Sequence, residues 1–252
     1  MRYLILSDIH GNWDALRAVV HRVRRKRFDA TLLLGDLVGY GGAPNQVMEE
    51  LASLPGKLYL VRGNHDKVVA GLEDGADFNE AAAQSVDWTR RRLTPDNLRA
   101  LRELPQGPRV VSRRADRAAV AICHGSPVHE DTYLFSEPEA AMAFQAPPMA
   151  HVTFFGHTHV TSMFILHRGG VRGLVLRTDG RMRLHPSLRY LVNPGSVGQP
   201  RDRNPDASFM IYDAEKLTLT WRRVRYPVRE AQRRIVRAGL PDLLAERLAY
   251  GI

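Results

Sequence analysis

Cysteine is almost absent from this 252-residue chain. The single one, Cys123, rules out an internal disulfide framework and gives no reason to invoke an oxidising compartment. Long apolar runs are missing too. No stretch reaches the ~20 residues that span a bilayer, and MRYLILSDIHG turns acidic at once instead of following the charged-then-apolar layout of a signal peptide. The expectation is a soluble, cytoplasmic protein with no membrane partner. No repeat or linker-like stretch divides the sequence, so one domain over 1–252 is the simplest organisation, and 44% hydrophobic residues can fill its core.

Acidic residues are in the minority: 36 Lys and Arg against 27 Asp and Glu leave a net charge of +9. Such an excess invites a nucleic-acid partner. Its distribution favours a solvated surface, because the arginine-rich stretches at 22–27, 90–92, 113–117 and 222–237 fall on expected helix faces and strand ends without a recognition motif. A basic surface still attracts phosphorylated substrates.

The short apolar runs come in a rhythm. Residues 2–6 are apolar, Trp13, Leu16, Val19, Val20 and Val23 fall at helical spacing within 13–27, and 31–34 is apolar again. Residues 44–54 then read as a helix and 57–61 as a third strand. This β-α-β-α-β order predicts an α/β fold with a mostly parallel sheet. Each strand ends in a polar cluster (Ser7 to His10, Gly35-Asp36, Gly63 to Asp66), and carboxyl ends of strands are where open α/β sheets assemble sites. Residues 67–107 read as a helical segment flanking that edge. From 109 onward strands are expected at 109–112, 118–123, 151–155, 162–167, 173–177, 189–192, 208–212 and 217–225, as a second, largely antiparallel set. Helices at 227–239 and 241–249 close the chain.

Seven polar residues just after apolar runs are metal ligands by type: Asp8, His10, Asp36, Asn64, His124, His157 and His159. Each alone has an ordinary role, as a cap, a turn or a core histidine. Together they form a donor set of carboxylate, imidazole and amide oxygen without thiolate, which suits Mn, Fe, Zn, Co or Ni rather than a structural cysteine-rich zinc site. Seven ligands exceed what one ion takes. Two divalent ions sharing a carboxylate would use them, and Asp36 is the natural bridge.

At these residues a resemblance is plain. SDIHGN (7–12), GDLVGYG (35–41), RGNHD (62–66), CHGSP (123–127) and FGHTH (155–159) resemble the five blocks of the calcineurin-like metallophosphoesterases, and VNPGSVGQPRD (192–202) is similar to a block of small bacterial members. The resemblance implies a four-layer αββα sandwich of two mixed sheets flanked by helices. It implies one ion on Asp8, His10, Asp36 and His159 and another on Asp36, Asn64, His124 and His157. Manganese is the first choice, with Fe, Zn, Ni or Co also suited. It further implies attack on phosphorus by a metal-bridging hydroxide, with His65 protonating the leaving alkoxide. Asp66 would support His65 or a ligand from behind or else serve a turn or cap, Arg62 would reach a phosphate oxygen or else stay solvated, and Asn12 and Tyr40 would line the pocket, unless Asn12 instead caps the helix that begins at Trp13.

GDLVGYG departs from protein phosphatases and symmetrical dinucleoside tetraphosphatases, where Asp-Arg-Gly stands in place of Gly39, Tyr40 and Gly41. The expected activity is therefore hydrolysis of a small phosphodiester or phosphomonoester. A nuclease or nucleotide phosphatase of the same family, and a non-catalytic metal-binding scaffold, are the alternatives.

Overall fold

The computed structural model of the protein describes residues 1–114 and 117–252; the centre of the arginine-rich stretch 113–117 lies outside the described residues. The first third follows the expected rhythm: β1 (Arg2–Leu6), α1 (Trp13–Val23), β2 (Ala30–Leu33), α2 (Pro44–Glu50) and β3 (Lys57–Leu60). Their strands pair in parallel, with Tyr3 opposite Ala30 and Ala30 opposite Lys57. Alternation along β1 sorts the side chains. Leu4 and Leu6 enter the core beneath the helices, while Tyr3 and Ile5 enter a second core shared with another sheet.

Helices α3 (Asn64–Ala70), α4 (Glu80–Arg92) and α5 (Pro95–Arg102) occupy the segment expected to be helical. Strands β4 (Arg109–Arg114), β5 (Arg117–Ile122), β6 (Val152–Phe154), β7 (Thr161–His167), β8 (Gly170–Val175), β9 (Gly180–Arg183), β10 (Arg189–Pro194), β11 (Ala207–Asp213) and β12 (Thr218–Val224) follow, with α6 (Glu137–Gln145) between β5 and β6. α7 (Val228–Arg237) and α8 (Asp242–Tyr250) come last.

These strands do not form one separate antiparallel set. One six-stranded sheet runs β3-β2-β1-β11-β12-β9 and the other β4-β5-β6-β10-β7-β8. The late strands β9, β11 and β12 thus complete the first sheet, and β5, β6 and β10 are mutually parallel. Pairing partners of this kind are set by crossover connections, which alternation within a strand does not record. Phe154 and Val192 of the second sheet face Ile5 and Leu32 of the first, and Phe155, Phe164 and Leu191 face α6. The result is the expected four-layer αββα sandwich. Among the described residues no helix is long and apolar enough to cross a membrane.

Candidate metal centre

β1, β2 and β3 of one sheet and β5 and β6 of the other each run straight into a predicted ligand cluster. All seven candidate ligands meet there. Asp8, His10, Asp36 and His159 offer ligand atoms within 4.8 Å of one another, and Asp36, His124 and His157 do the same. Asp36 belongs to both groups: its Oδ2 lies 3.4 Å from His10 Nε2 and 3.5 Å from His124 Nε2. Asn64 Oδ1 joins the second group, 3.1 Å from His124 Nε2.

Backbone carbonyls fix which nitrogen of each ring faces the centre. Nδ1 of His10, His124 and His159 donates to the carbonyls of Val38, Leu34 and Gln199, at 3.2, 2.8 and 2.6 Å, and Nε2 of His157 donates to the Asp131 carbonyl at 3.1 Å. The opposite nitrogens therefore point inward as acceptors. His10 Nε2 and His159 Nε2 face each other at 3.1 Å, as do His124 Nε2 and His157 Nδ1 at 3.1 Å. Lone pairs brought this close call for a cation between them. The titration directions of His10, His157 and His159 agree. Burial holds His10 and His159 below the ordinary histidine value, and burial with the charge of His124 takes His157 down to about 3. His124 goes the other way, up to about 10, because the Asp36 carboxylate outweighs its burial.

The chain reaches this geometry through strained backbone. Among the described residues nine non-glycine residues have positive φ, and five of them are candidate ligands: Asp8 (53°), His10 (49°), Asp36 (52°), His157 (66°) and His159 (58°). Such conformations cost roughly 1–3 kcal/mol each and cluster where function fixes the chain. Gly63 has a different job: any Cβ there would collide with the Asp36 carboxylate, so glycine lets the two loops touch.

The family model of the calcineurin-like phosphoesterase superfamily domain matches residues 1–217. The chain belongs to this superfamily. A crystal structure of a metallophosphoesterase from Sphaerobacter thermophilus is 35% identical over 100% of this chain and 99% of that one, with a TM-score of 0.83. An uncharacterized protein of Methanocaldococcus jannaschii is 32% identical over 98% of this chain and 97% of its own length. Symmetrical bis(5'-nucleosyl)-tetraphosphatases, among them that of Sodalis glossinidius at 30% identity, match only 36% of this chain and 37% of their own length. As a calcineurin-like phosphoesterase, the protein is a metal-dependent phosphoric ester hydrolase.

Around this phosphoesterase centre the other predicted residues separate. His65 is buried beside it; its backbone N–H donates to Asp36 Oδ1 at 2.9 Å, and its Nδ1 has no hydrogen-bond partner. Burial lowers its pKa to about 4. Gly39 (φ 88°) makes room for the ring, since a Cβ there would lie 2.5 Å from Nδ1. Asp66 makes no hydrogen bond to His65. Its carboxylate accepts from the N–H groups of Gly63, Leu37 and Val38, at 3.0, 2.9 and 3.3 Å, and so ties together the loops carrying Asp36 and Asn64.

Tyr40 lines the recess over the centre, its ring 4.3 Å from that of His65. Asn12 does not line that recess. It caps α1, its Oδ1 accepting from Ala15 N–H at 3.1 Å and its Nδ2 donating to the Gly198 carbonyl at 2.8 Å. Arg62 likewise is absent from the recess wall, because Glu130 accepts from both its Nε and Nη2, at 3.1 and 2.8 Å.

Three residues at this end escaped the sequence reading. Arg201 and Tyr133 wall the recess, and the Tyr133 ring stacks on His157 with centroids 3.8 Å apart. Lys67, 1% exposed, reaches Glu73, Glu130 and Asp131 at 2.8, 3.3 and 2.5 Å. That acidic trio has the spacing of a cation site, but the Lys67 ammonium already sits in it. Arg201 lies inside the quoted VNPGSVGQPRD block; nothing in the spacing of Lys67 marks it.

Proposed function

We propose that the protein hydrolyses a small phosphoester, a phosphomonoester or a phosphodiester, at a centre that holds two divalent transition metal ions. The seven converging ligand atoms, divided by a shared Asp36, carry this reading. Asp8, His10, Asp36 and His159 would hold one ion; Asp36, Asn64, His124 and His157 would hold the other. Manganese is the first candidate, and Fe, Zn, Ni or Co also suit donors that are imidazole nitrogens and carboxylate or amide oxygens. Such ions, when bound, supply Lewis acidity that makes water nucleophilic near neutral pH and offsets charge on phosphoryl oxygens.

The chain's own groups do the rest. The backbone carbonyls of Val38, Leu34, Gln199 and Asp131 keep the four imidazoles oriented, so the ligands need no rearrangement. His65 is the proton donor to the leaving oxygen. In the free protein burial keeps its ring neutral above about pH 4. An arriving phosphoryl anion raises the proton affinity of a buried imidazole, against the opposing charge of bound ions. We read 1–252 as a single domain acting in the cytoplasm, with the helices at 64–102 and 228–250 flanking the catalytic sandwich.

The partial similarity to symmetrical bis(5'-nucleosyl)-tetraphosphatases supports a second reading, in which the phosphoester is a nucleotide. Protein purified without chelator should contain close to two transition-metal ions per chain and hydrolyse p-nitrophenyl or bis(p-nitrophenyl) phosphate when Mn is added. A chain that binds no metal on titration overturns the dinuclear reading. Diadenosine tetraphosphate in the same panel tests the second.

A further inference from the structure

Arg201 sits on the loop after β10, its backbone N–H donating to the His159 carbonyl at 3.2 Å. It helps to enclose a recess of about 90 Å³ that also touches Asp36, Asn64, His65, His157 and Tyr133. Its polar contacts are sparse and long for a half-buried guanidinium. Nη2 lies 3.4 Å from the Tyr40 hydroxyl and 3.3 Å from Gln199 Oε1, the Tyr133 hydroxyl is a further side-chain partner of the guanidinium, and Nε is buried without a partner. No carboxylate among the described residues neutralises it. Asp202, the adjacent acid, is taken by Arg223, just as Glu130 is taken by Arg62. A buried, unused donor on a half-buried cation is costly unless an anion arrives to meet it, and the planar fork of arginine matches phosphoryl oxygens.

The number of oxygens then decides which ester benefits. A phosphodiester exposes two non-bridging oxygens and one negative charge. A phosphomonoester dianion exposes three, and on the reading proposed above the two ions account for two of them. We propose that Arg201, oriented by Tyr40 and Gln199, binds the third oxygen, so that the recess is a phosphomonoester subsite and favours monoesters over diesters. This inference deepens the proposed function and rests on it.

The test uses the full chain loaded with Mn, with Arg201→Gln, which keeps the side chain's reach, and Arg201→Lys, which keeps the charge without the fork. Orthophosphate affinity by calorimetry should fall about 10- to 100-fold in R201Q, the worth of a charged hydrogen bond, with partial recovery in R201K. Metal content should stay at the wild-type value. The kcat/KM for p-nitrophenyl phosphate should fall by a similar factor, and that for bis(p-nitrophenyl) phosphate by much less. Unchanged orthophosphate affinity in R201Q, or equal losses on the two esters, overturns the subsite, as does a wild-type protein that binds no orthophosphate. If the metal-loaded wild type hydrolyses neither ester, the proposed function fails, while the orthophosphate measurement still judges Arg201.

Discussion

The two halves of the metal centre are built from different materials. Asp8, His10, Asp36 and His159 are all at least 98% buried, and strand ends and backbone groups position them: His157 N–H on the Asp8 carboxylate, the Val38 carbonyl on His10, the Gln199 carbonyl on His159. The half formed by Asn64, His124 and His157 leans partly on side chains. His157 is held by the Asp131 carbonyl, and Asp131 is held by the ammonium of Lys67, three residues after Asn64. Glu130, next to Asp131, is gripped by both Arg62 and Lys67. Backbone supports of the first kind survive most substitutions. Ion pairs of the second kind respond to a single mutation, to pH and to salt, so the second cation site should be the softer one.

Substitutions can probe this asymmetry, beginning with the residue the halves share. Asp36→Asn should empty both sites together and bring turnover to the detection limit, read by metal analysis and by p-nitrophenyl phosphate hydrolysis; loss of one ion alone would mean that Asp36 does not bridge. His65→Ala should retain both ions yet lose about 10²- to 10⁴-fold in kcat, the usual worth of a positioned proton donor. Unchanged kcat in that variant would remove His65 from the chemistry.

Lys67→Met separates the halves. Cation titration should show the weaker site losing about 10- to 100-fold in affinity, as for other supports behind a metal ligand, with the tighter site unmoved. Equal weakening at both sites would refute the asymmetry. The smallest effect concerns acid. Burial opposes ionisation of Glu130, but the hydrogen bonds from Arg62 and the charge of Lys67 outweigh it and hold its carboxyl below the ordinary value. Its stabilising contribution is therefore complete above the unfolded glutamate value of about 4.3 and fades as pH falls through the lower folded value. Metal-free Glu130→Gln should show a smaller drop in Tm than wild type between about pH 5 and pH 3; parallel curves would show that the network carries no acid-linked stability.

The convergence of the seven candidate ligands was legible because each follows an apolar run read as a strand, so local sequence also indicated its place in space. Roles that depend on distant neighbours were not. Arg62 stands in the RGNHD block beside Asn64, yet Glu130, 68 positions away, claims its guanidinium. Asn12 had two readings in the sequence, and the N–H of Ala15 together with the Gly198 carbonyl selects the cap. β9 escaped because GRMR is four residues long and gains its identity from pairing with β12. α6 did carry a signal, the Ser136–Glu139 capping box, hidden by the expectation that strands dominate there.

Each of the two proposed cation sites would take ligands from both sheets. Asp8, His10, Asp36 and Asn64 follow strands of one, while His124, His157 and His159 follow strands of the other. Occupied, the centre would act as a double rivet across one end of the sandwich, in a chain whose single cysteine allows no internal disulfide. Each ion at a hundred times its Kd adds about 2.7 kcal/mol to the folded state. Metal supply would then govern how long the folded protein persists as well as how fast it turns over, and a chelated sample should be more readily cleaved by protease before any loss of activity is considered.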